Sequence, residues 1–208
     1  MGNGGGRRGR TLRGQIVVVS SPSGGGKTTI CRALMERTPD IVRLVTVTTR
    51  PPRPGEIDGV DYHFISPREF LARRKRGAFA EWAKVHEYYY ATPRADLERQ
   101  TRQGRDVLLS IDVQGGERVK EAYPEALMVF IMPPSRHVLR RRLEGRGTDA
   151  REVVDLRLAN AEAEMRRAAF YEYVVVNRSV EESVDQLEAI VLAGRTTAGC
   201  PSSLGGPL

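Results

Sequence analysis

IVVVSSPSGGGKTT, residues 16–29, decides the fold. Ile16 to Val19 is an unbroken apolar run dominated by β-branched side chains, as expected of a strand buried on both faces of a parallel sheet. A glycine-rich turn follows at once, and a helical stretch then runs from about Lys27 to Glu36, with Ile30 and Leu34 one turn apart. Strand, glycine loop and helix in that order open a nucleotide-binding α/β domain. Ser21 to Thr28 reads S-P-S-G-G-G-K-T against the phosphate-loop pattern G-x-x-x-x-G-K-[ST]. The glycines let successive backbone N–H groups turn toward phosphate oxygens, and the helix N-terminus adds partial positive charge. The expected triphosphate-binding stretch is Ser21, Pro22, Ser23, Gly24, Gly25, Gly26, Lys27, Thr28 and Thr29. Lys27 is expected to reach the β- and γ-phosphates and the Thr28 hydroxyl to sit on Mg²⁺. Ser21 departs from the pattern's first glycine.

Working outward, Val107 to Ile111, Leu127 to Met132 and Val174 to Val176 read as further central strands. Helices are expected to start at Ser135, Asp149 and Ser179, the last carrying the stripe Val180, Val184, Leu187 and Val191. Strands alternating with helices argue for a parallel sheet covered on both faces. The middle of the chain differs. Leu44 to Thr49 reads as a strand, Arg50 to Gly59 as a loop with three prolines and two glycines, and Asp61 to Ile65 and Phe79 to Tyr90 as strands around a helix at Ser66 to Arg76. There is too little helix here for parallel crossovers, so this stretch is expected to be a small, mainly antiparallel insert. The fold class is therefore α/β, with a phosphate-loop core and a parallel sheet covered by helices.

Composition sets outer limits. The chain has 208 residues, 40% of them apolar, enough for one main core. No apolar run reaches the roughly 18 residues of a membrane span, and no membrane partner is expected. The excess of 33 Lys and Arg over 26 Asp and Glu, net +7, favours polyanionic partners in general. Four of those arginines, Arg7, Arg8, Arg10 and Arg13, lie in a Gly/Arg-rich stretch, residues 1–13, expected to be a disordered tail; residues 195–208 are expected to be another. No aromatic stacking platform supports nucleic-acid binding. Cys31 and Cys200 lie too far apart in the chain to suggest a disulfide framework, which fits a reducing cytoplasm.

The insert carries T-T-R-P-P-R-P-G-E at Thr48 to Glu56, D-Y-H-F at Asp61 to Phe64, F-A-E-W-A at Phe79 to Ala83 and Y-Y-Y-A-T at Tyr88 to Thr92. With these motifs the chain resembles the guanylate kinase family from about Gly14 to Leu192. The resemblance implies a domain over residues 14–194, with a GMP-binding insert at about 44–92 and a helical lid at about 135–160. It implies transfer of the γ-phosphoryl group of Mg-ATP to GMP, with dGMP as a second acceptor, giving ADP and GDP. Residue by residue, it implies that Arg50, Arg53, Tyr62 and Tyr90 hold the GMP phosphate. Guanidinium forks suit that dianion because they match its geometry and stay charged. Glu81 would accept the guanine N1–H and 2-amino donors, with Thr46 and Thr92 as hydroxyl donors to O6. Asp112, at a strand end, would lie near both the guanine and the metal. Ser110 stands where the family often has a further aspartate, and Gln114 and Gly115 match a turn. Arg142, Arg146 and Arg157 match the lid arginines that neutralise charge on the transferred group. Asn177 would lie near the adenine of ATP. Arg140, Arg141, Arg166 and Arg167 read instead as a solvated basic face, and Tyr88 and Tyr89 as packing or surface residues.

Overall fold

The computed structural model describes residues 14–85, 87–145 and 151–197. The first tail, Arg146 and the helix start at Asp149 lie outside them. In chain order the elements are β1 Ile16–Ser20, α1 Lys27–Arg37, β2 Ile41–Arg43, β3 Thr46–Thr48, β4 Tyr62–Phe64 and α2 Pro67–Lys75. There follow β5 Phe79–Val85, β6 Tyr88–Pro93, α3 Arg94–Arg102, β7 Asp106–Ser110 and α4 Val113–Ala122. The chain continues through β8 Leu127–Met132, α5 Arg136–Glu144, α6 Arg151–Arg166, a 3-10 turn Arg167–Phe170, β9 Tyr173–Val176 and α7 Val180–Thr197.

The main sheet has the order β2-β7-β1-β8-β9 and every neighbouring pair is parallel. Its central strands are buried on both faces, which explains their unbroken apolar runs. Ile16 and Val18 of β1 join Val107 and Leu109 of β7 and Met128 and Phe130 of β8 in one core. Val17 and Val19 turn the other way, packing with Leu108, Val129 and Ile131 against Ile30 and Leu34 of α1 and Val184, Leu187 and Val191 of α7. The period-2 alternation of strand side chains thus divides one apolar run between two cores.

The second sheet has the order β4-β3-β6-β5. β3 with β6 and β5 with β6 are antiparallel, whereas β3 with β4 is parallel. Its own core stacks Phe70 of α2 on Phe79 and Tyr89, each pair of ring centroids 4.9 Å apart. Tyr89 is therefore a packing residue, as expected. Among the described residues no helix is long and apolar enough to cross a membrane.

The structure changes several expectations. Phe79 to Tyr90 is two paired strands, β5 and β6, with Val85 opposite Tyr88. Gln114 and Gly115 form the first turn of α4, whose N-cap is Asp112. β2 and α3 have no counterpart in the sequence reading, and α7 continues to Thr197, three residues into the stretch expected to be a tail. The caps hold where serine begins a helix: Ser66, Ser135 and Ser179 each accept a backbone N–H from three residues on.

Candidate active site

The loop between β1 and α1 gets its shape from glycine. Gly24 and Gly26 have φ of 83° and 96°, the left-handed region that side-chain-bearing residues avoid. At the departure from the loop pattern, the Ser21 hydroxyl donates to Pro22 O at 3.1 Å. A Cβ on Gly25 would stand 2.9 Å from the Ser21 Cβ and 3.0 Å from Pro22 O, so the serine and the following carbonyl together favour glycine there. Lys27, the first residue of α1, reaches across to β7's end and donates to Ile111 O at 2.6 Å. Burial lowers its pKa, with Cys31, Asp112 and Glu164 opposing that shift.

Three side chains brace this loop from outside. The Asn177 amide donates to Gly25 O at 2.8 Å. Arg142 donates to Gly25 O at 3.4 Å and to Asn177 O at 3.2 Å. Arg157 donates to the Ser23 hydroxyl at 3.1 Å. Of the expected lid arginines, Arg142 and Arg157 thus meet the phosphate loop, and Arg146 lies outside the described residues. Asn177, expected near adenine, is buried against the loop, its Nδ2 only 2.3 Å from where a Gly26 Cβ would be. The Glu164 carboxylate accepts the Ser23 N–H at 3.2 Å, a contact with no sequence signal. Arg140 pairs with Asp155 at 2.8 Å and Arg167 with Glu117, as a solvated charged face would.

A cavity of about 190 Å³ joins the loop to the insert, lined by Lys27, Thr46, Tyr62, Glu81, Tyr90 and Asp112 among others. Glu81 is buried in it, and that burial raises its pKa to about 7. The Thr92 hydroxyl donates to Glu81 Oε1 at 2.7 Å, which favours the ionised form, while the Asp112 charge disfavours it. This hydroxyl, expected to face a base oxygen, is thus in contact with Glu81. Asp112 accepts the N–H groups of Gly115 at 3.1 Å and Gln114 at 3.4 Å. A Cβ at Gly115 would approach both carboxylates, at 3.1 Å from Asp112 and 3.4 Å from Glu81, so the helix start and the two acids share one small space.

At the insert's far side, Arg50 is almost fully buried, and its guanidinium carbon lies 5.6 Å from the Tyr62 ring centroid. One nitrogen, Nη2, donates to both Glu56 oxygens, at 2.7 and 2.9 Å. The same carboxylate accepts the Arg53 N–H at 2.7 Å, while the Arg53 residue itself is exposed. Glu56 is thus a site residue to which the sequence reading assigns no role. A carboxylate six and three residues after two arginines of a proline-rich loop is the available signal.

Against this geometry the comparisons are decisive. The Guanylate kinase family model matches residues 13–193. The chain belongs to the guanylate kinase family. It is 47% identical over 184 residues to the guanylate kinase of Aromatoleum aromaticum, covering 88% of this chain and 90% of that one. It is 49% identical over 181 residues to the guanylate kinase of Symbiobacterium thermophilum, covering 87% and 86%. The crystal structure of guanylate kinase from Anaplasma phagocytophilum superposes with a TM-score of 0.75 at 37% identity, covering 88% of this chain and 87% of that one. The reaction of the guanylate kinase family, ATP and GMP to ADP and GDP, is accordingly the activity of this chain.

Glu56→Gln is expected to raise KM for GMP about tenfold with kcat nearly unchanged, since a charge-assisted bond that holds Arg50 in place contributes about 1.5 kcal/mol or more. Steady-state kinetics at varied GMP check this; an unchanged KM would show that Arg50 is held without its carboxylate.

Proposed function

We propose that the two ends of this cavity are the two nucleotide sites, with Ser21 to Thr29 holding the ATP phosphates and Arg50, Arg53, Tyr62 and Tyr90 holding the GMP phosphate. The observation that carries this reading is that Lys27, at the start of α1 beside the main sheet, and Glu81, in β5 of the second sheet, line one cavity. Glu81 accepts the two donors of the guanine edge, with Thr46 beside it and Thr92 behind it. Asp112 sits between the sites, and Arg142, Arg146 and Arg157 stabilise charge on the transferred group. In domain terms, residues 44–92 form the GMP insert, 135–160 the lid, and both belong to one domain over 14–194. dGMP is a second acceptor, and the cytoplasm is the compartment.

The attacking GMP oxygen is already anionic, so the chain supplies no general base. It supplies position and compensating charge. Lys27 and the lid arginines meet the charge that develops on the transferred oxygens. Closure over the cavity excludes water, limiting hydrolysis of ATP. Among the described residues no group of three or more His, Cys, Asp or Glu is placed to hold a metal. That donor set fits Mg²⁺ held mostly by nucleotide phosphates, with the exposed Thr28 hydroxyl at the start of α1 and Asp112 nearby. When bound, Mg²⁺ would supply positive charge against the nucleotide phosphates, and Thr28 and Asp112 are the residues that would help to hold it.

The test is release of ADP from ATP with GMP, AMP and ribose phosphates offered in turn. GMP is expected to be turned over at least about 10³ times more efficiently than AMP, because a buried carboxylate left unpaired penalises the wrong base. Equal use of GMP and AMP would overturn the assignment of Glu81.

A further inference from the structure

A second cavity, of about 370 Å³, lies on the far side of β5 and is lined by Arg74, Arg94, Arg118, Glu121, Phe79 and Trp82 among others. We propose that it binds the phosphate group of a small phosphorylated molecule, with Arg118 and Arg94 as the anion's principal partners. None of these arginines takes part in the transfer reaction described above.

The elements converge for structural reasons. α4 packs across β5 and brings Arg118 over the Trp82 ring, 4.9 Å from its centroid. Arg74, in the last turn of α2, lies over the same ring at 4.6 Å. Arg94, at the first position of α3, is fixed by donating to Gly77 O at 3.3 Å and Phe79 O at 3.0 Å. Stacking and carbonyl bonds thus orient three guanidinium groups toward one space, so little side-chain entropy remains to be lost on binding.

Two observations point to an anionic ligand. Arg118 Nη1 is enclosed and has no hydrogen-bond partner among the described residues. A buried guanidinium nitrogen left unmatched is costly, and buried polar groups in native structures nearly always have an acceptor. The charge count is also unbalanced. Arg74, Arg94 and Arg118 make no ion pair with a described residue, whereas Arg37, Arg73, Arg99, Arg102, Arg136, Arg140 and Arg167 do. Among the described residues, Glu121 is the cavity's only carboxylate apart from the buried Glu81, which lines both cavities. Guanidinium forks match phosphate oxygens in pairs, and the volume exceeds that of a phosphate ion alone and falls within the range of small-molecule sites. Glu121 is then an acceptor for hydroxyl groups on the ligand's body.

Trp82 is the only tryptophan of the chain and reports on this cavity directly. The experiment titrates the full chain without nucleotide, with inorganic phosphate in one arm and ribose 5-phosphate in the other; substitution at Arg118 or Arg94 separates this cavity from the transfer site, whose residues it leaves unchanged. Chloride at matched ionic strength is the control. A saturable change in Trp82 emission is expected with at least one phosphate probe and not with chloride, and its midpoint should rise at least tenfold in Arg118→Gln and in Arg94→Gln. Tighter binding of the ester than of the free ion would identify an organic phosphate as the occupant, and the reverse would identify phosphate itself; both support the anion site. No saturable change, or an unshifted midpoint in both variants, would overturn it. Circular dichroism and thermal melts establish that each variant is folded; if Arg118→Gln does not fold, Arg94→Gln and Arg74→Gln decide. Failure leaves the GMP reading untouched, because ADP release with GMP is measured separately.

Discussion

Lys27→Met is expected to lower kcat by about 10³-fold or more while leaving the protein at least as stable as before. The kinetic half rests on charge. Removing one preorganised group that meets developing transition-state charge costs about 10² to 10³ in rate, and cations at transferring phosphoryl groups reach the upper end of that range or beyond. Lys27 begins the helix that ends the phosphate loop, and its ammonium is held by Ile111 O at 2.6 Å, at the end of a central strand. That carbonyl fixes where the charge sits before any nucleotide arrives. The stability half rests on the lowered pKa. A lysine whose folded pKa lies below its unfolded value binds its proton less well when folded, so at neutral pH it costs stability rather than contributing it. Methionine keeps the apolar stem and removes that cost. Single-turnover kinetics with Mg-ATP and GMP, beside a thermal melt, check both halves. A kcat within tenfold of the wild-type value would remove Lys27 from the reaction.

The parts of this molecule that could be read beforehand are those where one local rule applies. β1, β7 and β8 are buried on both faces, so their apolar runs are unbroken and their register needs no partner to be guessed. Ser66, Ser135 and Ser179 mark helix starts because a side-chain oxygen must answer a free N–H. What escaped depends on contacts between distant segments. α3 reads RADLERQTR and buries only Leu97, too little for a periodic stripe. β2 buries only Ile41 and is defined by its pairing with β7. The β5–β6 turn contains no glycine or proline, so a strand pair reads as one long strand. In the site, the phosphate loop and the Glu81 motif follow from composition and spacing, whereas Asn177 on Gly25 and Glu164 on Ser23 join residues more than a hundred positions apart. Thr92 shows a finer limit: its hydroxyl was legible, but its contact with Glu81 was not.

Glu81→Gln is expected to lower kcat/KM for GMP by about 10³ to 10⁴ and, in the same variant, to raise stability above neutral pH. Guanine offers two donors on one edge. A carboxylate accepts both with full charge, whereas an amide accepts one and presents its own N–H to the other, which converts an attraction into a buried mismatch. The site prepares for this by burial, which holds the Glu81 pKa at about 7 in the free protein, against an ordinary value of 4.5. The folded chain therefore keeps a proton that the unfolded chain releases, and stability falls as pH rises through the window from 4.5 to about 7, then levels. The shift corresponds to about 3 kcal/mol at most, which glutamine, never charged, does not incur. For the same reason, wild-type kcat/KM for GMP should fall as pH drops below about 7, as the carboxylate that must accept becomes the acid that cannot, and this fall should be absent in the variant. Melting at pH 8 and kinetics from pH 5.5 to 8.5, roughly spanning the titration, test the two consequences together. A GMP efficiency within tenfold of wild type, or a variant less stable at pH 8, would mean that Glu81 is held for packing rather than for guanine. The combination expected, less activity with more stability, is what a buried charge kept for a ligand should produce.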